Sequence, residues 1–142
     1  MEYSIGEVAE KLGLTTHTLR YYDKERLLPR VRKNSAGLRR FSDEDVNRLY
    51  ILECLKATGL QLKEIKHYFD LCEKGDSSLS ERLAIFQKQK ERLEKQIQDL
   101  NQNIARIKFK IEYYQEALQG GEKGIFERNK KLAKEKEELF KK

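Results

Sequence analysis

The sequence has little of several residue types that mark particular classes of protein. Its 142 residues include two cysteines, one proline and no tryptophan. Two cysteines cannot form the disulfide framework of a small secreted domain, so we expect a reducing, cytoplasmic location. No apolar run approaches the roughly 18 residues of a membrane-spanning helix. The first residues also lack the basic and then apolar character of a signal peptide.

Patterns typical of catalytic and metal sites are missing as well. The chain has two histidines, no HExxH pattern and no glycine-rich phosphate-binding loop. Without a constellation of catalytic or metal-ligating residues at suitable spacing, we expect no enzyme activity, no metal and no cofactor.

Charge is abundant and unevenly distributed. The chain has 30 basic and 24 acidic residues, which gives a net charge of +6. Between residues 11 and 40, nine basic residues stand against two acidic ones. Because solvated helices usually mix the two signs, this concentration favours a positive surface that binds a polyanion.

Two short helices joined by a tight turn are predicted at the start of the chain. Ser4 and Glu7 form a capping box, and Gly13 suits the position after the end of that helix. Thr15 or Thr16 can cap a second helix two residues later. This arrangement is the sequence form of a helix-turn-helix.

The second helix carries side chains suited to a nucleic-acid surface. Hydroxyl groups permit close approach, while arginine, histidine and tyrosine can donate to phosphates or base edges. Tyr22 follows Tyr21 and cannot face the same way, so we expect Tyr22 in the core. Arg20 could instead pair with Asp23, and His17 could be an ordinary solvated residue.

A basic two-stranded hairpin is predicted next. Pro29 ends helical structure, and residues 34–37 (Asn-Ser-Ala-Gly) are a turn cluster. Both arms carry arginine or lysine: Arg30, Arg32, Lys33, Arg39 and Arg40. Since an isolated hairpin is marginal in water, this one must pack against the helices or a ligand.

Three further helices are predicted, over residues 42–58, 61–74 and 78–119. Polar residues occur on all sides of the first of these, so the pattern does not show which way Cys54 points. Ser78 and Glu81 form a capping box for the last helix.

The long helix has the apolar pattern of a coiled coil. Its apolar residues alternate at spacings of three and four through about five heptads. The seam residues are Leu83, Phe86, Leu93, Ile97, Leu100, Ile104, Ile107, Ile111, Tyr114 and Leu118. No single small domain could bury a helix of this length, so we expect a partner helix. Residues 120–142 form a short tail, predicted to be helical, that either docks on its own dimer or covers an effector site.

Four segments together resemble the signature of the MerR family of bacterial dimeric transcription regulators. They are Ile5-Gly6-Glu7-Val8-Ala9, Thr18-Leu19-Arg20-Tyr21-Tyr22-Asp23, Leu27-Leu28-Pro29 and Gly37-Leu38-Arg39-Arg40-Phe41. The resemblance implies a mostly α fold, with a winged helix-turn-helix DNA-binding domain at residues 1–75 and a coiled-coil dimerisation helix at 78–119.

The resemblance also implies how DNA is bound. The second helix would enter the major groove, and the hairpin would be a wing that reaches phosphates or the minor groove. The implied contact residues are Thr15, Thr16, His17, Arg20 and Tyr21 on the helix, and Arg32, Lys33, Arg39 and Arg40 on the wing. The implied regulator is a homodimer, paired through an antiparallel coiled coil. It binds palindromic promoter DNA and distorts it for RNA polymerase in response to an effector.

Cys54 is the candidate effector residue. Residues 77–81 and 119–142 lack the cysteines of the metal-sensing branch, whereas the surroundings of Cys54 resemble the thiol- and aldehyde-responsive, NmlR/AdhR-like branch. The alternative is that Cys54 is only a small packed residue, and Cys72 is expected to be inert. Other interpretations remain open: a small-molecule-responsive regulator without a cysteine switch, an architectural DNA-bridging protein, or an interaction coiled coil with a vestigial helix-turn-helix.

Overall fold

The computed structural model describes residues 1–28 and 31–141. The chain divides into two compact units, residues 1–89 and residues 90–142. The elements in chain order are β1 (Glu2–Ser4), α1 (Ile5–Leu12), α2 (Thr16–Lys24), β2 (Arg32–Lys33), β3 (Arg39–Ser42), α3 (Asp43–Ala57), α4 (Leu62–Glu73), a 3₁₀ turn (Gly75–Ser78), α5 (Leu79–Gly120), α6 (Ile125–Arg128) and α7 (Lys130–Leu139). Pro29, the predicted helix stop, and Arg30, on the predicted hairpin arm, lie outside the described residues.

The helix-turn-helix predicted at the start of the chain is confirmed. The Ser4 hydroxyl accepts the Glu7 N–H at 3.2 Å, and the Glu7 carboxylate accepts the Ser4 N–H at 3.0 Å. Gly13 ends α1 with φ at +67°, a left-handed conformation that glycine adopts without steric cost. Two residues later Thr15 caps α2, so the turn between the helices is short.

The hairpin belongs to an antiparallel sheet with β3 in the centre. The sheet order is β1-β3-β2, and Tyr3 of β1 lies opposite Phe41. At the tip of the hairpin, Asn34 Oδ1 accepts the N–H groups of Ala36 and Leu38, each at 3.0 Å. The sequence predicts two of these strands but not β1. Three residues are too few to show a strand pattern, and the partner strand is almost 40 residues away.

The core of the first unit lies between the helices and the sheet. Its most buried side chains are Val8, Leu19, Tyr22, Leu27, Leu28, Phe41, Leu49, Leu52 and Ile65. Full burial of one such side chain contributes roughly 1.5–3 kcal/mol. The prediction that Tyr22 is a core residue is confirmed, since its side chain is 1% exposed.

The start of α5 differs from the prediction. Ser78 does not act as a helix cap, because its hydroxyl lies 2.8 Å from the Gly75 carbonyl oxygen and also contacts the carbonyl oxygen of Leu71. Arg82 donates to the same hydroxyl at 3.1 Å. The serine therefore fixes the 3₁₀ turn between α4 and α5.

The second unit has a small core of its own. Phe109 of α5, Ile125 of α6 and Leu132 of α7 are all buried there. The tail thus packs against the helix of its own chain. Within the part of the chain that the structure describes, no helix has both the length and the apolar character needed to cross a membrane.

Candidate nucleic-acid interface

Helix α2 has one buried face and one exposed, basic face. Leu19 and Tyr22 point into the core. His17, Arg20 and Tyr21 are exposed, and their spacing of three and four places them on a single face of the helix. That face carries an imidazole, a guanidinium and a phenol, which are all donors suited to phosphates and base edges.

The two candidate threonines at the start of α2 also have structural partners. The Thr15 hydroxyl accepts the Thr18 N–H at 3.1 Å and lies 2.8 Å from the Thr18 hydroxyl. Thr16 Oγ1 lies 3.5 Å from Arg20 Nη1. Thr15 therefore serves as the helix cap, and Thr16 contacts the guanidinium at the centre of the exposed face.

The wing pairs positive charges across its strands. Arg32 lies opposite Arg40, and Lys33 lies opposite Arg39. Like charges in direct cross-strand positions destabilise a hairpin. An anion bound at this surface would relieve the repulsion between these paired positive charges.

Two carboxylates offset part of this repulsion. Arg39 Nε donates to Asp23 Oδ2 at 2.7 Å, and both side chains are mostly buried. Arg40 Nε lies 3.6 Å from a carboxylate oxygen of Glu2. The alternative considered for Arg20, a pair with Asp23, is not what the structure shows, because Asp23 binds Arg39.

The wing and α2 form one recessed surface. A recess of about 410 Å³ is lined by His17, Arg20, Tyr21, Asp23, Lys24 and Arg39. An adjacent recess of about 250 Å³ shares Arg20 and Arg39 with it and extends to Leu38 at the wing tip. The sequence suggests Asp23 only as an alternative partner of Arg20, not as a member of this surface. Its signal was present, since Asp23 is one of only two acids between residues 11 and 40.

A hydrogen-bond network connects the buried face of α2 to α3. The Tyr22 hydroxyl donates to Glu53 Oε1 at 2.6 Å, and Lys56 Nζ donates to the Tyr22 oxygen at 3.1 Å. Burial, and after it the hydrogen bond to Glu53, raises the pKa of Tyr22 well above its usual range. Tyr22 therefore stays protonated and holds α2 against α3.

The two cysteines lie in different surroundings. Cys54 is exposed on α3, while Cys72 is half-buried. Lys56, two residues from Cys54 in the sequence, donates its ammonium to the Tyr22 hydroxyl. A guanidinium nitrogen of Arg82 lies 3.9 Å from Cys72 Sγ. The cationic contact is therefore found at the cysteine that we predicted to be inert.

Comparison with known protein families gives two matches along the chain. Residues 3–72 match the model of the MerR HTH family regulatory protein, and residues 46–108 match the MerR, DNA binding model. The chain belongs to the MerR family. It is therefore a DNA-binding transcriptional regulator, from a family of regulators and not of enzymes.

Individual MerR-family relatives cover most of the chain. An HTH-type transcriptional regulator of Haemophilus influenzae is 41% identical over 117 residues, which are 82% of this chain and 87% of that protein. The HTH-type transcriptional regulator AdhR of Bacillus subtilis is 32% identical over 90 residues, which are 63% of this chain and 64% of AdhR. The crystal structure of HiNmlR, a MerR family regulator lacking the sensor domain and bound to promoter DNA, is 40% identical. The structural match covers 88% of this chain and 96% of the HiNmlR chain, with a TM-score of 0.69.

The predicted seam of this MerR-family chain is an apolar stripe on α5. Nine of its ten side chains are exposed: Leu83, Leu93, Ile97, Leu100, Ile104, Ile107, Ile111, Tyr114 and Leu118. Phe86 differs, because its ring packs at 5.0 Å from the ring of Tyr68 in the first unit. Such a long row of exposed apolar side chains is unusual on a monomeric protein and marks an interaction surface.

Proposed function

We propose that this regulator binds a palindromic promoter site as a homodimer. The observation that carries the proposal is the surface shared by α2 and the wing, where Arg20 and Arg39 line adjoining recesses. Like-charged pairs across the wing add support, since an anionic backbone would relieve their repulsion. The promoter DNA bound to HiNmlR supports the same partner for this chain.

Each side chain has a proposed role on the DNA. The exposed face of α2 contacts the major groove through His17, Arg20 and Tyr21. At the start of the helix, Thr15 and Thr16 lie beside the DNA backbone. The wing contacts phosphates or the adjacent minor groove through Arg32, Lys33, Arg39 and Arg40. Phosphate contacts fix the position of the protein, and base contacts provide the specificity.

The dimer is proposed to form along the exposed stripe of α5. Heptad spacing places these side chains on one narrow face, which a second copy of the same helix can cover by knobs-into-holes packing. The antiparallel orientation is taken from the family resemblance. Because the partner is a second copy of the same chain, the dimer is expected to be two-fold symmetric and to bind a two-fold symmetric site.

Regulation is proposed to act through the shape of the DNA. An effector changes the dimer, and the dimer then bends or untwists the promoter so that RNA polymerase can use it. Smooth bending of a short DNA site costs on the order of 1–6 kcal/mol, and the contacts between protein and DNA must offset this cost. RNA polymerase is therefore an indirect partner, reached through the deformed promoter.

Cys54 is the proposed sensor of electrophiles. Its exposed thiol can add across the C=O bond of an aldehyde, with sulfur bonding to carbon and the proton going to oxygen. The similarity to AdhR and the position on α3 favour this role. The small-molecule alternative keeps the same DNA mechanism but leaves Cys54 as an ordinary residue of the helix.

Promoter-driven transcription in vitro tests the proposal. The purified protein and its Cys54→Ala and Cys72→Ala variants would be compared with and without formaldehyde, on a template that carries the palindrome closest to its own gene. We expect an aldehyde response in the unmodified protein and in Cys72→Ala, but not in Cys54→Ala. Equal responses of all three proteins would remove Cys54 from the mechanism.

A DNA-binding series separates the regulator from an architectural DNA-bridging protein. Affinity for the palindrome and for a scrambled duplex would be measured at several salt concentrations. A regulator is expected to prefer the palindrome by at least about 10³-fold at physiological salt. Uniform, strongly salt-dependent binding to both duplexes would instead indicate architectural binding.

A further inference from the structure

The C-terminal tail forms a cavity with the last turns of α5. Ile125 and Leu132 are buried against Phe109, so the tail is docked and not merely adjacent to the helix. Arg128 secures this docking, since its guanidinium donates to Glu116 at 3.1 Å and to the Lys123 carbonyl at 2.8 Å. The walls of the cavity therefore come from α5 on one hand and from the docked tail on the other.

Five of the eight residues that line the cavity are aromatic. The cavity measures about 370 Å³, within the range of small-molecule sites. Five of the thirteen phenylalanine and tyrosine residues of the chain line it. The rings of Tyr113 and Tyr114 are 5.0 Å apart in an edge-to-face arrangement, and Phe126 lies 5.9 Å from Tyr113. Phe109 and Phe140 are 5.3 Å apart.

The charged groups of the cavity favour an anion. Lys110 Nζ lies 5.3 Å from the ring centre of Phe140, and Lys136 Nζ lies 4.9 Å from that of Phe126. The carboxylate in the lining, Glu122, accepts the Tyr113 hydroxyl at 2.7 Å. This hydrogen bond is the main reason that the pKa of Tyr113 is raised, so the phenol stays neutral. Two lysines thus line the cavity beside one carboxylate that already binds a donor.

We propose that this cavity binds a planar organic anion, such as an aromatic carboxylate. Its ring would stack among the aromatic side chains, while its carboxylate would bind the ammonium groups of Lys110 and Lys136. The site lies in the second unit and uses none of the DNA-contact residues. Ligand binding can therefore be tested without DNA. Tyr114 also belongs to the proposed dimer seam, so an effect of the ligand on the dimer would rest on the proposed function.

Calorimetric titration of the full chain tests this site with three probes of similar size. The probes are 2-naphthoate, the neutral 2-naphthylmethanol and the cationic 2-naphthylmethylammonium. We expect saturable binding of one naphthoate per chain, with at least tenfold weaker binding of the other two. Equal affinity for the three probes would overturn the proposal, because it would indicate unspecific apolar binding.

Charge-removing variants locate the binding. The double variant Lys110→Gln/Lys136→Gln is expected to bind naphthoate at least tenfold more weakly, since each lysine donates a charged hydrogen bond. The matched control is Lys108→Gln/Lys134→Gln, which removes two exposed lysines from the same helices outside the cavity and should leave the affinity unchanged. Phe140→Ala removes a half-exposed wall residue and should also weaken binding. Unchanged affinity in both the double variant and Phe140→Ala would place the ligand elsewhere and refute the site.

Discussion

Arg39 on the wing donates to Asp23 on α2 at 2.7 Å, and this ion pair joins the two elements that we propose contact DNA. The wing is short, with strand β2 only two residues long, and an isolated hairpin of that size is marginal in water. The ion pair thus helps to fix the wing at the edge of α2. Its acidic partner, Asp23, lies within the most basic segment of the chain, residues 11–40.

A double-mutant cycle should reveal this link. Asp23→Asn and Arg39→Gln would be measured singly and together by urea unfolding. Because both side chains are mostly buried and charged, we expect a coupling free energy of about 1 kcal/mol or more. A coupling below about 0.3 kcal/mol would show that the two sites act independently.

The same Asp23→Asn change should lower DNA specificity. Removal of the carboxylate makes the surface more positive but also removes a contact that holds the wing. Binding to a scrambled duplex should therefore stay equal or become tighter, while binding to the palindrome becomes weaker. The ratio of the two affinities is the quantity to measure, at one fixed salt concentration. An unchanged ratio would mean that the wing is positioned without Asp23.

Arg20→Ala should weaken DNA binding without unfolding the protein. Arg20 is exposed at the junction of the two recesses, so its removal leaves the core unchanged. If Arg20 binds a base edge, we expect a loss of about 1–3 kcal/mol and relaxed specificity at one position. Lys95→Ala, an exposed position on α5, is the control. If Arg20→Ala and Arg39→Ala both stay within twofold of the unmodified affinity, the DNA face has been assigned wrongly.

Tyr22→Phe should destabilise the first unit in a pH-dependent way. The change removes the hydrogen bond to Glu53, and we expect a loss of about 1–3 kcal/mol at pH 7. The pKa of Tyr22 is raised in the folded state, so its contribution is fully present below the ordinary tyrosine pKa of about 10 and is lost as the pH rises above it. Urea unfolding of both proteins at pH 7 and pH 11 should therefore show a smaller difference at the higher pH.

Local signals predicted much of this fold, whereas contacts between distant residues were not visible in the sequence. The capping box at Ser4 and the glycine at position 13 act within a few residues, so the sequence alone is enough to predict the helix-turn-helix. Strand β1 and the pair of Asp23 with Arg39 depend on partners that lie far along the chain. Arg82 beside Cys72 is a further example, since ten residues separate them across a 3₁₀ turn.

Leu132→Ala tests how firmly the tail is docked. Leu132 is fully buried in the second unit, and truncation of such a leucine usually costs about 2–5 kcal/mol. That loss is large compared with the stabilisation that a core of three buried side chains can provide. We therefore expect the tail to open. Hydrogen exchange of residues 125–139 should then become faster while that of α1 to α4 stays unchanged. Lys134→Ala, two residues away on the same helix and exposed, is the control.

The exposed stripe on α5 allows a direct test of dimerisation. Ile104 is 51% exposed in the single chain, so an acidic residue there should not disturb the folding of one protomer. In a coiled coil the same change would bury a carboxylate among apolar side chains, which is strongly unfavourable without a partner. Ile104→Asp is therefore expected to shift sedimentation from dimer to monomer and to abolish high-affinity binding to a two-fold site. Gln102→Asp introduces the same charge change at an exposed position on the opposite side of α5 and should remain dimeric. Sedimentation of the unmodified chain as a monomer at micromolar concentration would refute the proposed dimer.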